Sequence, residues 1–260
     1  MSLWNKVLFN RTMTYRQDSD FPIPYFSVEP LGPEDFQLSN MFYSNISVKL
    51  ETKTQLAVWM SSNCNSLTGR EKLVTELQKF ISIDVYGDCS KEHNQCDYDS
   101  RTNCYNQLGR TYKFYLAFEN SFCQDYITEK VSHSMLAGMV PVVYGGANYS
   151  DLLPQNSFIN VLDFSSVKQL ADHISFLGAN QSAYQNYFDW RRTHQVLMPA
   201  AAQHHNDEWA IQLASGLRDI CFAVRNGDQM KVNWYSRMDE WWTKDQCRVG
   251  SVWQKTLRTL

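Results

Sequence analysis

Apolar and polar positions come in blocks through the middle of this chain. Phe114 to Phe118 is an unbroken apolar run, the pattern of a strand covered on both faces, and Glu119, Asn120 and Ser121 mark where it emerges. Ile127, Val131 and Met135 then recur at four-residue spacing, which predicts a helix. Thr128 is placed to cap that helix, Glu129 and Lys130 fill its first turn, and Gly138 closes it. Val140 to Tyr144 predicts the next strand. The same grammar continues on both sides. Leu56 to Met60 reads as a strand, and Thr68-Gly69-Arg70-Glu71 has capping-box spacing before a helix with Leu73, Leu77 and Phe80 on one face. Ile81 to Tyr86 and Phe158 to Val161 predict further strands, and Ser166 opens a helix that aligns Val167, Leu170, Ile174 and Leu177.

Strand alternating with helix implies a parallel, doubly wound α/β sheet. Residues 1–50 differ: Pro22, Pro24, Pro30 and Pro33 and weak helical periodicity predict irregular structure with short strands. The pattern divides the chain into a front segment (1–50), a βα domain (51–225) and a C-terminal extension (226–260).

Composition narrows the function classes. A chain of 260 residues can bury a substantial core. Its net charge of −3 and its lack of a basic run argue against nucleic acid as a partner. No apolar run reaches membrane-spanning length, and no signal peptide is visible. Seven cysteines, with Cys89, Cys96 and Cys104 crowded into one polar loop, point to an oxidising compartment, and the odd count leaves at least one unpaired. Zinc is the competing reading, with neither a Cys-x-x-Cys pair nor a His-x3-His partner to support it. Asn-x-Ser/Thr tripeptides at Asn10, Asn45, Asn148 and Asn180 are candidate glycan acceptors and point to the same compartment.

The candidate chemistry lies at one strand-to-helix turn. In open parallel sheets ligands bind beyond the carboxyl ends of strands, where a helix N-terminus offers free N–H groups to an anion. A cation in that first turn is unfavourable by about 0.3–1 kcal/mol, so Lys130 hints at an anionic ligand. For a lone lysine a solvated helix face is the default reading. Glu119, Asn120, Tyr126, Thr128, Glu129 and Lys130 all converge on this turn, which favours a site. Arg70 holds the comparable place in the preceding βα unit, so a forked guanidinium and a point charge could grip a diphosphate from two sides. Asp18-Ser19-Asp20 and Asp97-Tyr98-Asp99 have metal-binding spacing, but both lie in polar stretches rather than at the end of an apolar strand. Structural or solvated carboxylates are the favoured reading of each, and no metal site is predicted.

Phe118-Glu119-Asn120-Ser121, Asp125-Tyr126-Ile127-Thr128-Glu129-Lys130 and Val140-Pro141-Val142-Val143 together resemble the donor-site signature of the α1,3-fucosyltransferases. The resemblance runs over roughly residues 8–225, through Phe9-Asn10-x-Thr12, Tyr15-Arg16-x-Asp18-Ser19-Asp20, Ser62-Asn63-Cys64-Asn65, Asp84-Val85-Tyr86-Gly87 and Tyr187-Phe188-x-Trp190. It implies a two-domain GT-B-like glycosyltransferase, with a Rossmann-like C-terminal donor domain and an N-terminal acceptor domain of which only a remnant is seen here. It further implies inverting transfer of fucose from GDP-fucose to a GlcNAc hydroxyl of a glycoprotein N-glycan, with no metal or other cofactor required. Members work in the Golgi lumen and are anchored by an upstream membrane helix, which this chain would lack.

By the same resemblance, Arg70 and Lys130 hold the pyrophosphate and stabilise the leaving group. Asn63, Glu119, Asn120, Tyr126, Thr128 and Glu129 line the sugar or nucleoside, and Tyr15 and Arg16 face the acceptor. The family's proposed base is a glutamate ahead of the Phe-Asn-x-Thr segment. Here no acidic residue precedes Phe9, so the base is expected to be absent. The alternative function is then a truncated form that binds GDP-fucose without transferring it. His133 stands where the family commonly has Asn, and Arg218 stands where a Cys often pairs with the equivalent of Cys221. The C-terminal aromatics Trp209, Trp234, Tyr235, Trp241 and Trp242 are expected to pack against the core or a partner rather than stack on sugars.

Overall fold

The computed structural model describes residues 9–32, 53–92, 94, 96, 101–198, 216–218, 220–222, 225, 235, 237–243 and 247–248. Asn45, the Asp97–Asp99 triplet, Trp209 and Trp234 lie outside these residues. Three short strands come first: β1 (Met13–Thr14), β2 (Phe21–Pro22) and β3 (Ser27–Pro30). The alternating region follows as β4 (Gln55–Met60), α1 (Arg70–Leu77), β5 (Ile83–Tyr86), α2 (Arg101–Thr111), β6 (Tyr112–Phe118), β7 (Phe122–Cys123), α3 (Glu129–Leu136), β8 (Val140–Tyr144), α4 (Tyr149–Leu152) and β9 (Ile159–Asn160). After these come α5 (Val167–Ala179), α6 (Gln181–Gln185), β10 (His194–Leu197), α7 (Met238–Thr243) and β11 (Cys247–Arg248).

Five strands form one parallel sheet in the order β5-β4-β6-β8-β9. From Phe114 to Phe118 the central strand β6 is apolar and buried, because both its faces are covered there. Phe114, Leu116 and Phe118 point into a core with Leu73, Val74 and Leu77 of α1 and Leu170, Ile174 and Leu177 of α5. Tyr115 and Ala117 point into the opposite core, with Leu108 of α2 and Val131 and Met135 of α3. The expected doubly wound, Rossmann-like arrangement is what the chain adopts.

Several local expectations hold and others shift. Val131 and Met135 of α3 are buried as the spacing predicts, as is Ile127 just ahead of the helix, and Gly138 takes a left-handed φ of 74° just beyond its end. Ser166 caps α5, its Oγ accepting from the Gln169 N–H at 3.1 Å. Thr68 does not cap α1. That place falls to Gly69, with φ 68°, while Ser66 supplies the backbone N–H and hydroxyl that bond the Glu71 carboxylate. Phe80 is not part of the buried face of α1: the helix ends at Leu77, and the following turn leaves Phe80 49% exposed. The supposed Cys-rich loop contains α2, where Cys104, Tyr105 and Leu108 are buried.

The front segment and the far end of the chain are stitched onto the sheet domain. β3 pairs antiparallel with β10, and β7 pairs with β11, where Cys123 and Cys247 form a disulfide. Cys64 pairs with Cys89 and Cys96 with Cys104, leaving Cys221 free and exposed. Trp241 lies under the Arg16 guanidinium, 4.1 Å from ring centroid to carbon, and Tyr235 packs on Trp241 while its hydroxyl donates to Asp20. Tyr235 and Trp241 pack within the molecule, whereas Trp242 is 42% exposed. No helix among the described residues is long and apolar enough to cross a membrane.

Candidate functional site

The strand order fixes where a ligand can sit. The first strand of the sheet, β4, is flanked by the second, β5, and the third, β6, so the chain reverses its direction of winding between β4 and β6. From β4 the chain passes to α1 on one face, and from β6 it passes to α3 on the other. The crevice left at their carboxyl ends is the usual ligand position in such sheets. A cavity of about 470 Å³ occupies it, lined by Ser61 and Asn63 from the end of β4, Arg70 from α1, Asn120 from the end of β6, and Glu129 and Lys130 from α3. Met60, Ser62, Gly87, Asp88 and Tyr105 complete the wall.

Lys130 is not a solvated surface charge. Its side chain is 14% exposed, and its Nζ lies 2.8 Å from Thr128 Oγ1, 3.1 Å from Glu119 Oε2 and 3.2 Å from Glu129 Oε1. An ammonium has three protons, and here each has an acceptor. Burial alone would lower the Lys130 pKa, but Glu119 and Glu129 outweigh it and hold the ammonium protonated well above its ordinary range. For Glu129, burial pushes the carboxyl up, and Lys130 together with hydrogen bonds from Lys130 and Thr128 brings it below its ordinary value. Glu119 is fully buried, and burial raises its pKa against the pull of Lys130.

Glu119 and Thr128 stand behind the wall rather than on it. Thr128 occupies the N-cap position of α3 with extended backbone, yet its hydroxyl makes no capping bond. It donates instead to Glu119, 2.9 Å from Oε1, and the Thr128 N–H donates to the same oxygen at 2.9 Å. A carboxylate just beyond β6 therefore bonds the N-cap backbone N–H, as the acidic residue of a capping box does elsewhere.

Arg70 is 1% exposed and committed to backbone as well as cavity. One Nη donates to the Phe118 carbonyl at 2.7 Å, and the other donates to Ser61 Oγ at 2.7 Å and the Asn63 carbonyl at 2.9 Å. The guanidinium thus ties the end of β4 to the end of β6 across the crevice. Asn120 lines the cavity, and its Oδ1 is buried without a hydrogen-bond partner, a group that a ligand hydroxyl or N–H would satisfy.

Tyr126 lies off the wall in an aromatic cluster, its ring 5.1 Å from Tyr15 and 6.2 Å from Tyr25, with Trp242 5.9 Å beyond Tyr15. Arg16 is buried, paired with Asp18 at 2.8 Å and bonded to the Trp241 carbonyl. Asp20 accepts from the Thr12 N–H at 2.8 Å and from the Thr12 and Tyr235 hydroxyls, so the first Asp-x-Asp triplet is structural. Among the described residues no group of three or more His, Cys, Asp or Glu is arranged to hold a metal. Of the sequons, Asn10, Asn148 and Asn180 are exposed, and Asn180 Oδ1 caps α6 by accepting from the Ala183 N–H. Ser61, Asp88 and Tyr105 are wall residues that the sequence did not single out. Tyr105 had a signal in the Cys104, Tyr105 and Leu108 spacing of a helix face.

Comparison with known proteins places the chain. A family profile described as "Glycosyltransferase family 10 (fucosyltransferase) C-term" matches residues 50–241. The chain is 34% identical over 237 residues to glycoprotein 3-alpha-L-fucosyltransferase A of Drosophila melanogaster, covering 90% of this chain and 43% of that protein. It is 38% identical over 201 residues to 4-galactosyl-N-acetylglucosaminide 3-alpha-L-fucosyltransferase 9 of Bos taurus, covering 76% of this chain and 51% of that one. The chain spans about half the length of the curated relatives it matches. A crystal structure of an alpha1,3-fucosyltransferase with GDP-fucose superposes with a TM-score of 0.49 at 23% identity, over 60% of this chain and 44% of that one. With the family profile covering most of the chain and relatives above 30% identity covering more, this protein belongs to glycosyltransferase family 10, the fucosyltransferases.

Proposed function

We propose that the cavity between β4 and β6 binds GDP-fucose, and that the whole protein is an inverting α1,3-fucosyltransferase. It would move fucose to a GlcNAc hydroxyl of a glycoprotein N-glycan in the Golgi lumen. The observation that carries this reading is the largely buried, fully coordinated Lys130 at the N-terminus of α3, facing the same cavity as Arg70. As the anomeric C–O bond breaks, negative charge gathers on the departing diphosphate. Two fixed cations and a helix N-terminus stabilise it without reorganising. Asn120 Oδ1 offers an acceptor to a donor hydroxyl or N–H.

A second reading is donor binding without transfer: Glu119 has no exposure and Glu129 is paired to Lys130, so neither is free to take the acceptor proton, and Asp88 is the exposed carboxylate left on the wall.

Calorimetry with GDP-fucose, alongside transfer assays on antennal and core GlcNAc acceptors, tests both. Lys130→Ala removes a charge-assisted bond worth about 1.5–3 kcal/mol, so donor affinity falls at least about tenfold. Binding without transfer selects the second reading. No binding of GDP-fucose by the unaltered chain overturns both.

A further inference from the structure

We propose that Glu119 is a positioning residue that holds the Lys130 ammonium at the cavity wall and orders the first turn of α3, without itself touching the donor. The inference rests on the donor-site reading above but assigns Glu119 a place that the family signature alone does not. The signature sets Glu119 beside Asn120, and side by side they read as two ligands of the same molecule. The structure separates them. Asn120 lines the cavity with a buried, unpartnered Oδ1, whereas Glu119 is fully buried and absent from the wall.

Both Glu119 oxygens are already spoken for. Oε1 accepts from the Thr128 N–H and from its hydroxyl, each at 2.9 Å, and Oε2 lies 3.0 Å from that hydroxyl and 3.1 Å from Lys130 Nζ. Thr128 in turn accepts from Lys130 Nζ at 2.8 Å, so Glu119, Thr128 and Lys130 close a ring of hydrogen bonds around the start of α3. Each member fixes the next: a carboxylate at the end of β6, a hydroxyl at the helix N-cap, and an ammonium one turn edge further on. Of the two carboxylates on Lys130, Glu129 faces the cavity and Glu119 faces the core. An arriving diphosphate can therefore displace or share the Glu129 contact while Glu119 keeps the ammonium in place. The ionisable groups around Lys130 are Glu119 and Tyr115 from β6, Glu129 on its own helix, Tyr126 on the preceding loop and Tyr25 from the front segment. Glu119 is the largest of the influences that keep Lys130 charged, so its removal exposes the ammonium to the cost of burial.

The test uses Glu119→Gln, Glu119→Asp and Lys130→Ala in the whole chain, with two readouts. The first is the rate at which acetic anhydride acylates Lys130, followed by mass spectrometry across alkaline pH. Only the neutral amine reacts, and a one-unit fall in its pKa raises that fraction about tenfold. Acylation is expected to rise severalfold in Glu119→Gln and to return toward the original rate in Glu119→Asp. This readout needs no donor, so it stands even if the cavity binds something else. The second is GDP affinity in a double-mutant cycle. Glu119→Gln is expected to weaken GDP binding about tenfold in the unaltered chain but less than about twofold when Lys130 is already alanine. An unchanged Lys130 acylation rate, or an equal loss of GDP affinity in both backgrounds, overturns the inference. Altered acylation with no GDP binding in any variant sinks the donor-site reading and leaves the positioning role standing. Should Glu119→Gln fail to fold, Thr128→Val breaks the same ring, and unchanged Lys130 acylation in that variant overturns the inference as well.

Discussion

Replacing Arg70 by leucine separates two jobs that one buried cation could do here, gripping a ligand and holding the crevice together. The substitution deletes the bonds to the Phe118 carbonyl, Ser61 Oγ and the Asn63 carbonyl, at 2.7, 2.7 and 2.9 Å, and the 3.4 Å ion pair with the partly exposed Glu71. Their losses are unequal. Asn63 is exposed, so water replaces the guanidinium at its carbonyl, and Ser61 Oγ keeps its own bond to that carbonyl at 3.1 Å. Phe118 has no exposure, so its carbonyl is orphaned, which costs about 1–3 kcal/mol. The lost bond to Ser61 adds about 1 kcal/mol, and relief from burying a charge offsets part of the sum. A net loss of about 1–3 kcal/mol corresponds to a fall in Tm of about 2–12 °C for a domain of this size. Differential scanning calorimetry and urea unfolding read this directly. Arg70→Lys is expected to fall between the two, because an ammonium cannot fork toward both strand ends. A leucine variant that melts with the unaltered chain, yet loses GDP binding, would refute the brace and leave Arg70 a ligand only.

Other expectations follow from single features. A Cβ on Gly146 would sit 2.6 Å from the Cys123 carbonyl oxygen and 2.7 Å from the Phe122 carbonyl carbon, both backbone. Gly146→Ala should cost about 1–3 kcal/mol by overpacking and displace β7, readable as a lower midpoint in urea; an unchanged midpoint would contradict the contact. Burial holds the His173 imidazole below its ordinary 6.5, with Nε2 3.2 Å from the Tyr187 hydroxyl. The unfolded chain takes up that proton first, so this contribution is complete above 6.5 and is lost as pH falls below it. His173→Gln should flatten that part of the Tm–pH curve, and an identical slope in both proteins would refute it.

What the sequence revealed and what it hid follow the range of the interactions. The unit from β6 to β8 was legible because its signals are local: an unbroken apolar run, a four-residue stripe and a stop glycine. Helix α2 was missed because, among its described residues, the apolar signal is limited to Cys104, Tyr105 and Leu108, among polar neighbours that read as a loop. Phe80 was assigned to the core by extending a periodicity that the chain had already abandoned after Leu77. The cap of α1 slipped because a left-handed Gly69 serves where Thr68 had the better side chain. At the site, the convergence of Lys130, Glu129 and Asn120 was foreseeable from the strand-to-helix turn. The inward turn of Glu119 was not, since Thr128 and Lys130 sit nine and eleven positions away and only the fold brings them to one carboxylate. Arg70 shows the same limit more sharply. Its partners include a backbone carbonyl 48 residues later, which carries no side-chain signature at all. Disulfide pairing was equally hidden, with Cys123 and Cys247 lying 124 positions apart.

The central claim, that a nucleoside diphosphate sits in the crevice between β4 and β6, is tested most directly by a crystal structure of the chain with GDP. The account predicts phosphate density in the cavity lined by Asn63, Arg70, Asn120, Glu129 and Lys130, within hydrogen-bond reach of Lys130 Nζ. Density for the diphosphate anywhere else, such as the cavity of about 310 Å³ between α1 and β5 lined by Thr75, Gln78 and Lys91, would contradict it.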